Sequence, residues 1–119
     1  MIDKNTEKII LNRCLKGDKA GWEIFVKTYS SIVYQAILKT VKTGSSQIII
    51  EDIKDIYSDI FLSLLENDYK KLKKFKIEKN YSLSSWIKTI AIRTTIDFIR
   101  KKSKENKFEP YFDIDVQSS

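Results

Sequence analysis

The chain has no histidine, one cysteine, one proline and three glycines in 119 residues. Without histidine, the usual zinc sites and acid–base constellations lack their commonest member. A single cysteine, Cys14, cannot form an internal disulfide and reads as a small apolar core residue. The apolar runs, such as Ile48 to Ile50, are far too short to span a bilayer. The opening Asp3, Lys4, Asn5 does not have the pattern of a signal peptide. The expectation is a cytoplasmic protein with no membrane association, no cofactor and no metal. With Pro110 as the one proline and Gly17, Gly21 and Gly44 as the only glycines, there is little to interrupt helices.

A 42% hydrophobic content, with six Phe, six Tyr and two Trp, supplies a modest core for one domain. The periodicity predicts an all-α, compact four-helix domain over residues 1–103, followed by a linker or disordered tail over 104–119. The first helix runs from about Thr6 to Leu15, with Ile9, Ile10 and Cys14 inward, and stops at Lys16-Gly17. Asp18 caps a second helix to about Lys42, where Trp22, Phe25, Tyr29, Ile32, Val33, Ala36 and Ile37 recur at spacings of three and four. A third, from about Glu51 to Asn67, turns Ile53, Ile56, Tyr57, Ile60, Phe61 and Leu64 to one side. A lysine-rich connector, Asp68 to Ser82, precedes a fourth helix from about Ser84 to Lys102, with Trp86, Ile87, Ile90, Thr94 and Phe98 inward.

The net charge of +6 is unevenly spread. Residues 1–69 carry 9 basic and 10 acidic side chains, residues 70–102 carry 11 and 2, and residues 103–119 carry 2 and 4. So local an excess points to an anionic partner. On the third helix, Asp52, Asp55, Asp59, Ser63 and Glu66 form an acidic stripe that can dock a basic helix of another protein, or can simply be a solvated face. Aligned on one helix without a histidine, these carboxylates make a poor catalytic set. The connector interleaves six lysines with Tyr69, Phe75 and Tyr81. Lysines neutralise phosphates and aromatic faces accept unstacked bases, as in single-strand binding. A solvated lysine loop with aromatics tucked into the core, or a membrane-surface segment, fits the same residues. On the fourth helix, Thr89, Arg93 and Arg100 share a face suited to base edges or phosphates, which Lys101 and Lys102 extend.

The order of these features resembles region 2 of the sigma-70 family, of the extracytoplasmic-function type. Asp52-Ile-Lys-Asp-Ile-Tyr-Ser-Asp-Ile-Phe-Leu-Ser-Leu-Leu65 is similar to the family's Asp-Ala-Glu-Asp-Leu-Thr-Gln-Glu-Val-Phe-Leu helix, which binds the clamp helices of the RNA polymerase beta-prime subunit. Ser85-Trp-Ile-Lys-Thr-Ile-Ala-Ile-Arg-Thr-Thr-Ile-Asp-Phe-Ile-Arg-Lys-Lys102 resembles Trp-Leu-x-x-Ile-Ala-Arg-Asn-x-x-x-Asp-x-x-Arg. Leu15-Lys-Gly-Asp-Lys-Ala-Gly-Trp-Glu-Ile-Phe25 matches the opening Leu-x-x-Gly-Asp-x-x-Ala-Phe. The resemblance covers about residues 6–103.

The resemblance implies a non-enzymatic domain that binds core RNA polymerase and recognises and melts the promoter minus-ten element, holding its non-template strand. It assigns Asp55, Ser58, Asp59 and Leu62 to polymerase and Tyr81, Thr89 and Arg93 to DNA; the acidic stripe adds Asp52 and Glu66 to the first set, and the basic connector and fourth helix add Lys73, Lys74, Lys76, Asn80, Arg100, Lys101 and Lys102 to the second. An anti-sigma factor is a further implied partner. Ser58 stands where the family has glutamine, and Ile92-Arg93 where it has Arg-Asn, so the base preference does not carry over. The family's second, helix-turn-helix domain has no counterpart after Ser103, so either an isolated domain or a single-domain variant is expected. Read from the residues without the family, a stand-alone nucleic-acid-binding regulator and a helical protein-interaction adaptor stay open.

Overall fold

The structure, a computed structural model, describes residues 3–44, 47–78 and 82–106, the side chains of 76–78 excepted. It contains four helices: α1 (Lys4–Leu15), α2 (Lys19–Gly44), α3 (Ile50–Glu78) and α4 (Leu83–Asn106). No strand occurs among the described residues, so the all-α expectation holds.

Local chemistry sets the helix ends. Asp3 caps α1, its side chain accepting the Thr6 amide at 2.7 Å. At the other end Gly17 adopts φ +78°, which lets its amide reach the Cys14 carbonyl (2.9 Å) and the Asp18 amide reach that of Arg13 (3.2 Å). This pair of bonds is the Schellman motif. Asp18 then caps α2 through the Ala20 amide (3.0 Å) and is held by Arg13 at 2.8 Å. The Arg13 guanidinium keeps the Asp18 carboxyl below its ordinary pKa. Where α1 and α2 diverge, a Cβ on Gly21 would lie 2.7 Å from the Cβ of Arg13, so this close approach needs glycine.

α1 and α2 form an antiparallel pair, α4 runs alongside α2 in the same direction, and α3 runs back against both. Phe25, Tyr29, Val33 and Ile37 of α2, Ile56, Ile60 and Leu64 of α3, and Ile87, Ala91 and Ile99 of α4 make the shared core. Burying each large apolar side chain contributes roughly 1.5–3 kcal/mol before the chain's entropy is charged against it. Two inward faces differ from expectation. Ile9 is 58% exposed, and α1 packs through Ile10, Leu11 and Cys14, with Glu7 buried on the same side. On α4, the fully buried positions are Leu83, Ile87, Ala91, Thr95, Ile96 and Ile99, while Trp86, Ile90, Thr94 and Phe98 are half-buried. α4 is wedged between α2 and α3, so two of its flanks are covered and the face nearest the centre is rotated from the one its largest residues suggest.

The largest correction concerns the lysine-rich connector. α3 does break at the predicted point: Glu66 has ψ 146°, and Asn67, Asp68 and Tyr69 have φ 54°, 57° and 60°. Helical backbone then resumes to Glu78, in place of a loop. Asn and Asp tolerate the left-handed region, whereas Tyr69 pays roughly 1–2 kcal/mol there. Its ring offsets this by packing edge-on against Trp22, centroids 6.0 Å apart. Leu72 and Phe75 turn into the core, Phe75 lying 5.3 Å from Trp86.

Candidate functional site

Beyond the break, the second arm of α3 carries Lys70, Lys71, Lys73 and Lys74. With Ser63, Glu66 and Asn67 they line a hollow of about 560 Å³. Lys73 pairs with Asp68 at 2.8 Å, an exposed pair that solvent weakens. The core needs Leu72 and Phe75 on one side of this arm, so its lysines are confined to the other. Phe75 is buried against Trp86, whereas Tyr69 is half-buried with its ring edge-on to Trp22. Asn80 and Tyr81, and the side chain of Lys76, lie outside the described residues.

On the first arm of α3, Asp55, Ser58, Asp59 and Glu66 are exposed together. Among them sits Leu62, 55% exposed. Nothing in the core explains a leucine there, and an apolar centre ringed by charge is how protein interfaces are built. Asp52 does not belong to this exposed set. Its carboxylate accepts the Ile49 amide at 2.9 Å, closing the start of α3, and pairs with Lys102 of α4. Their side chains are 13% and 20% exposed. This pair joins the start of α3 to the last turns of α4, and it leaves Asp52 and Lys102 less exposed than Asp55, Asp59 and Lys101.

Of the other α4 candidates, Arg93 and Lys101 are exposed, Arg100 is half-buried, and Thr89 donates its hydroxyl to the Ser85 carbonyl at 3.1 Å. Lys88, one residue before Thr89 and exposed, was not singled out by sequence. It faces Lys39 of α2 across a groove. Only the packing of α2 beside α4 brings these two lysines together.

A second feature with no local signal is Glu7, 6% exposed. One of its carboxylate oxygens accepts the Tyr29 hydroxyl (3.0 Å), the Ser84 amide (3.1 Å) and the Ser84 hydroxyl (2.9 Å). It thus joins α1 and α2 to the first turn of α4, where a negative charge is favoured by the helix dipole. Burial, followed by the adjacent Glu7 charge, pushes the Tyr29 phenol well above its ordinary pKa. Cys14 is fully buried, its thiol directed at the Gly21 carbonyl at 3.4 Å, and desolvation raises its pKa to about 11. That suits packing and not nucleophilic chemistry.

The described residues thus form an all-helical domain with an acidic face that includes Leu62 on one arm of a broken helix and a lysine-rich face on the other. The sigma-70 region 2 family model matches residues 25–105, and the chain belongs to that family. The family's role is promoter recognition with RNA polymerase in transcription initiation, and it is not an enzyme class. The searches of curated proteins and of solved structures found no significant match. No helix among the described residues is long and apolar enough to cross a membrane.

Proposed function

We propose that this chain is region 2 of an extracytoplasmic-function type sigma factor, with the two arms of α3 dividing the work. The first arm, through Asp55, Ser58, Asp59, Leu62 and Glu66, docks on the basic clamp helices of the polymerase beta-prime subunit. The second arm, with Lys73 and Lys74, and the Thr89, Arg93 and Lys101 face of α4 meet the minus-ten element and hold its non-template strand as the duplex opens. Half-buried Arg100 supports the phosphate side of that face. The domain supplies binding free energy while polymerase performs the chemistry.

The observation that carries this reading is Leu62, exposed among carboxylates in a helix whose other face is fully used by the core. A solvated acidic stripe has no need of an apolar centre. The experiment is a pull-down with purified core polymerase. Asp55→Lys with Asp59→Lys replaces attraction by repulsion, and such like-charge contacts cost several kcal/mol, so retention should fall by roughly two orders of magnitude or more. Leu62→Ser should weaken retention with no loss of helical content. Wild-type retention by both variants would reject the docking face.

A further inference from the structure

Two adjoining hollows of about 250 and 290 Å³ open between α2 and α4. Lys39 of α2 and Lys88 of α4 face each other across both, and both side chains are exposed. Gln35 at one end and Thr43 at the other add polar groups. Neither lysine has an ion pair among the described residues. No carboxylate of the two helices stands near to compensate them: α2 has none after Glu23, and α4 has none before Asp97. Over those stretches the pair carries Lys27, Lys39, Lys42, Lys88 and Arg93. Of the acids around α1, Glu7 is engaged by Tyr29 and Ser84, and Asp3 caps its own helix. Two ammonium groups set opposite each other repel, and an anion between them replaces that repulsion by attraction.

The adjoining surface indicates which anion. Lys88 and Ile92 line the hollow from one row of α4, four residues apart. Thr89 and Arg93, which the proposed function gives to the minus-ten element, form the next row, a step of about 100° round the helix. The hollow thus borders the face given to DNA, and a strand lying on that face brings its backbone to the two lysines.

We propose that Lys39 and Lys88 form a seat for the sugar-phosphate backbone of promoter DNA, which extends the DNA interface from α4 onto α2. The proposal rests on the assignment of Thr89 and Arg93 to DNA. Phosphate contacts fix register and orientation without carrying sequence information. The seat holds α4 in place on the DNA, and Thr89 and Arg93 address the bases from there.

The test is a lysine acetylation footprint of the full chain, read by mass spectrometry, with and without a mixed-sequence DNA duplex at low salt. Lys39 and Lys88 should be shielded together with Lys101, while Lys27, on α2 but outside the hollow, should stay reactive. In anisotropy titrations of the same duplex, Lys39→Gln with Lys88→Gln should make the salt slope shallower by about 1.8, so the fall in affinity between about 50 and 200 mM salt should shrink roughly twelvefold. Lys27→Gln should leave the slope unchanged, and every variant should keep the wild-type helical signal. Unshielded Lys39 and Lys88 beside a shielded Lys101, or a wild-type slope in the double variant, would overturn the seat and leave the α4 assignment standing. Absence of shielding at Lys74 and Lys101 as well would remove the DNA reading and the seat with it. Equal shielding by inorganic phosphate at the same phosphate concentration would also overturn the proposal, because the ligand would then be a free anion.

Discussion

Removing the Glu7 carboxylate should cost this domain more than any other single polar change. Glu7→Ala leaves the Tyr29 hydroxyl and the Ser84 amide and hydroxyl without their acceptor. An orphaned buried donor costs about 1–3 kcal/mol. The Tyr29 donor is fully buried and pays near the top of that range, whereas Ser84 is half-buried and water can replace part of what it loses. The total is roughly 3–4 kcal/mol, comparable with emptying a core position by Leu64→Ala. Glu7→Gln keeps the shape and one acceptor oxygen but loses the charge at the start of α4, for roughly 1–2 kcal/mol. Tyr29→Phe removes a donor and leaves the carboxylate bound to Ser84, so it should fall between wild type and Glu7→Ala. Urea unfolding at neutral pH measures all three, and hydrogen exchange of the first amides of α4 shows whether the loss is local. The opposing term is the desolvation of the carboxylate itself. If Glu7→Gln were as stable as wild type or more so, that term would dominate and the cross-helix role described for Glu7 would be refuted.

Lys102→Met should leave the partly buried Asp52 carboxylate with only the Ile49 amide and destabilise by roughly 1–2 kcal/mol, less than breaking a fully buried pair, while leaving the salt dependence of DNA binding unchanged. Lys101→Met should do the reverse, with wild-type stability and a salt slope shallower by about one. The depressed Asp18 pKa makes the Arg13–Asp18 pair a source of stability at neutral pH that is lost as pH falls below the ordinary carboxylate value of 3.8; NMR titration should show Arg13→Gln moving Asp18 back toward that value. Cys14, with its thiol raised to about 11, should resist a maleimide or disulfide reagent at pH 8 in the folded protein and react quickly in urea. Prompt labelling of the native chain would contradict its burial.

Much of this architecture is written in short stretches of sequence. Gly17-Asp18 encodes both the end of α1 and the start of α2, because the positive φ and the capping carboxylate act within a few residues. Phe25, Tyr29, Val33 and Ile37 recur every four residues and specify the inner face of α2 without reference to anything else. The acidic stripe through Asp55, Asp59 and Glu66 was equally visible, since a helix face is a matter of spacing, whereas Leu62 beside it came only from the family resemblance. What the tertiary structure decided are pairings between residues far apart in the chain. Asp52 and Lys102 look like two surface charges until α3 and α4 lie antiparallel. Glu7 gains its donor Ser84 from 77 positions away. Lys39 and Lys88 share a groove because α2 and α4 run side by side. The connector was misjudged for the same reason: its lysines dominate the composition, but Leu72 and Phe75 find their partners in other helices, and that burial makes 70–78 helical. Periodicity reports which face of a helix is apolar; which charge on the remaining surface is bound, buried or free depends on neighbours that only the packed chain supplies.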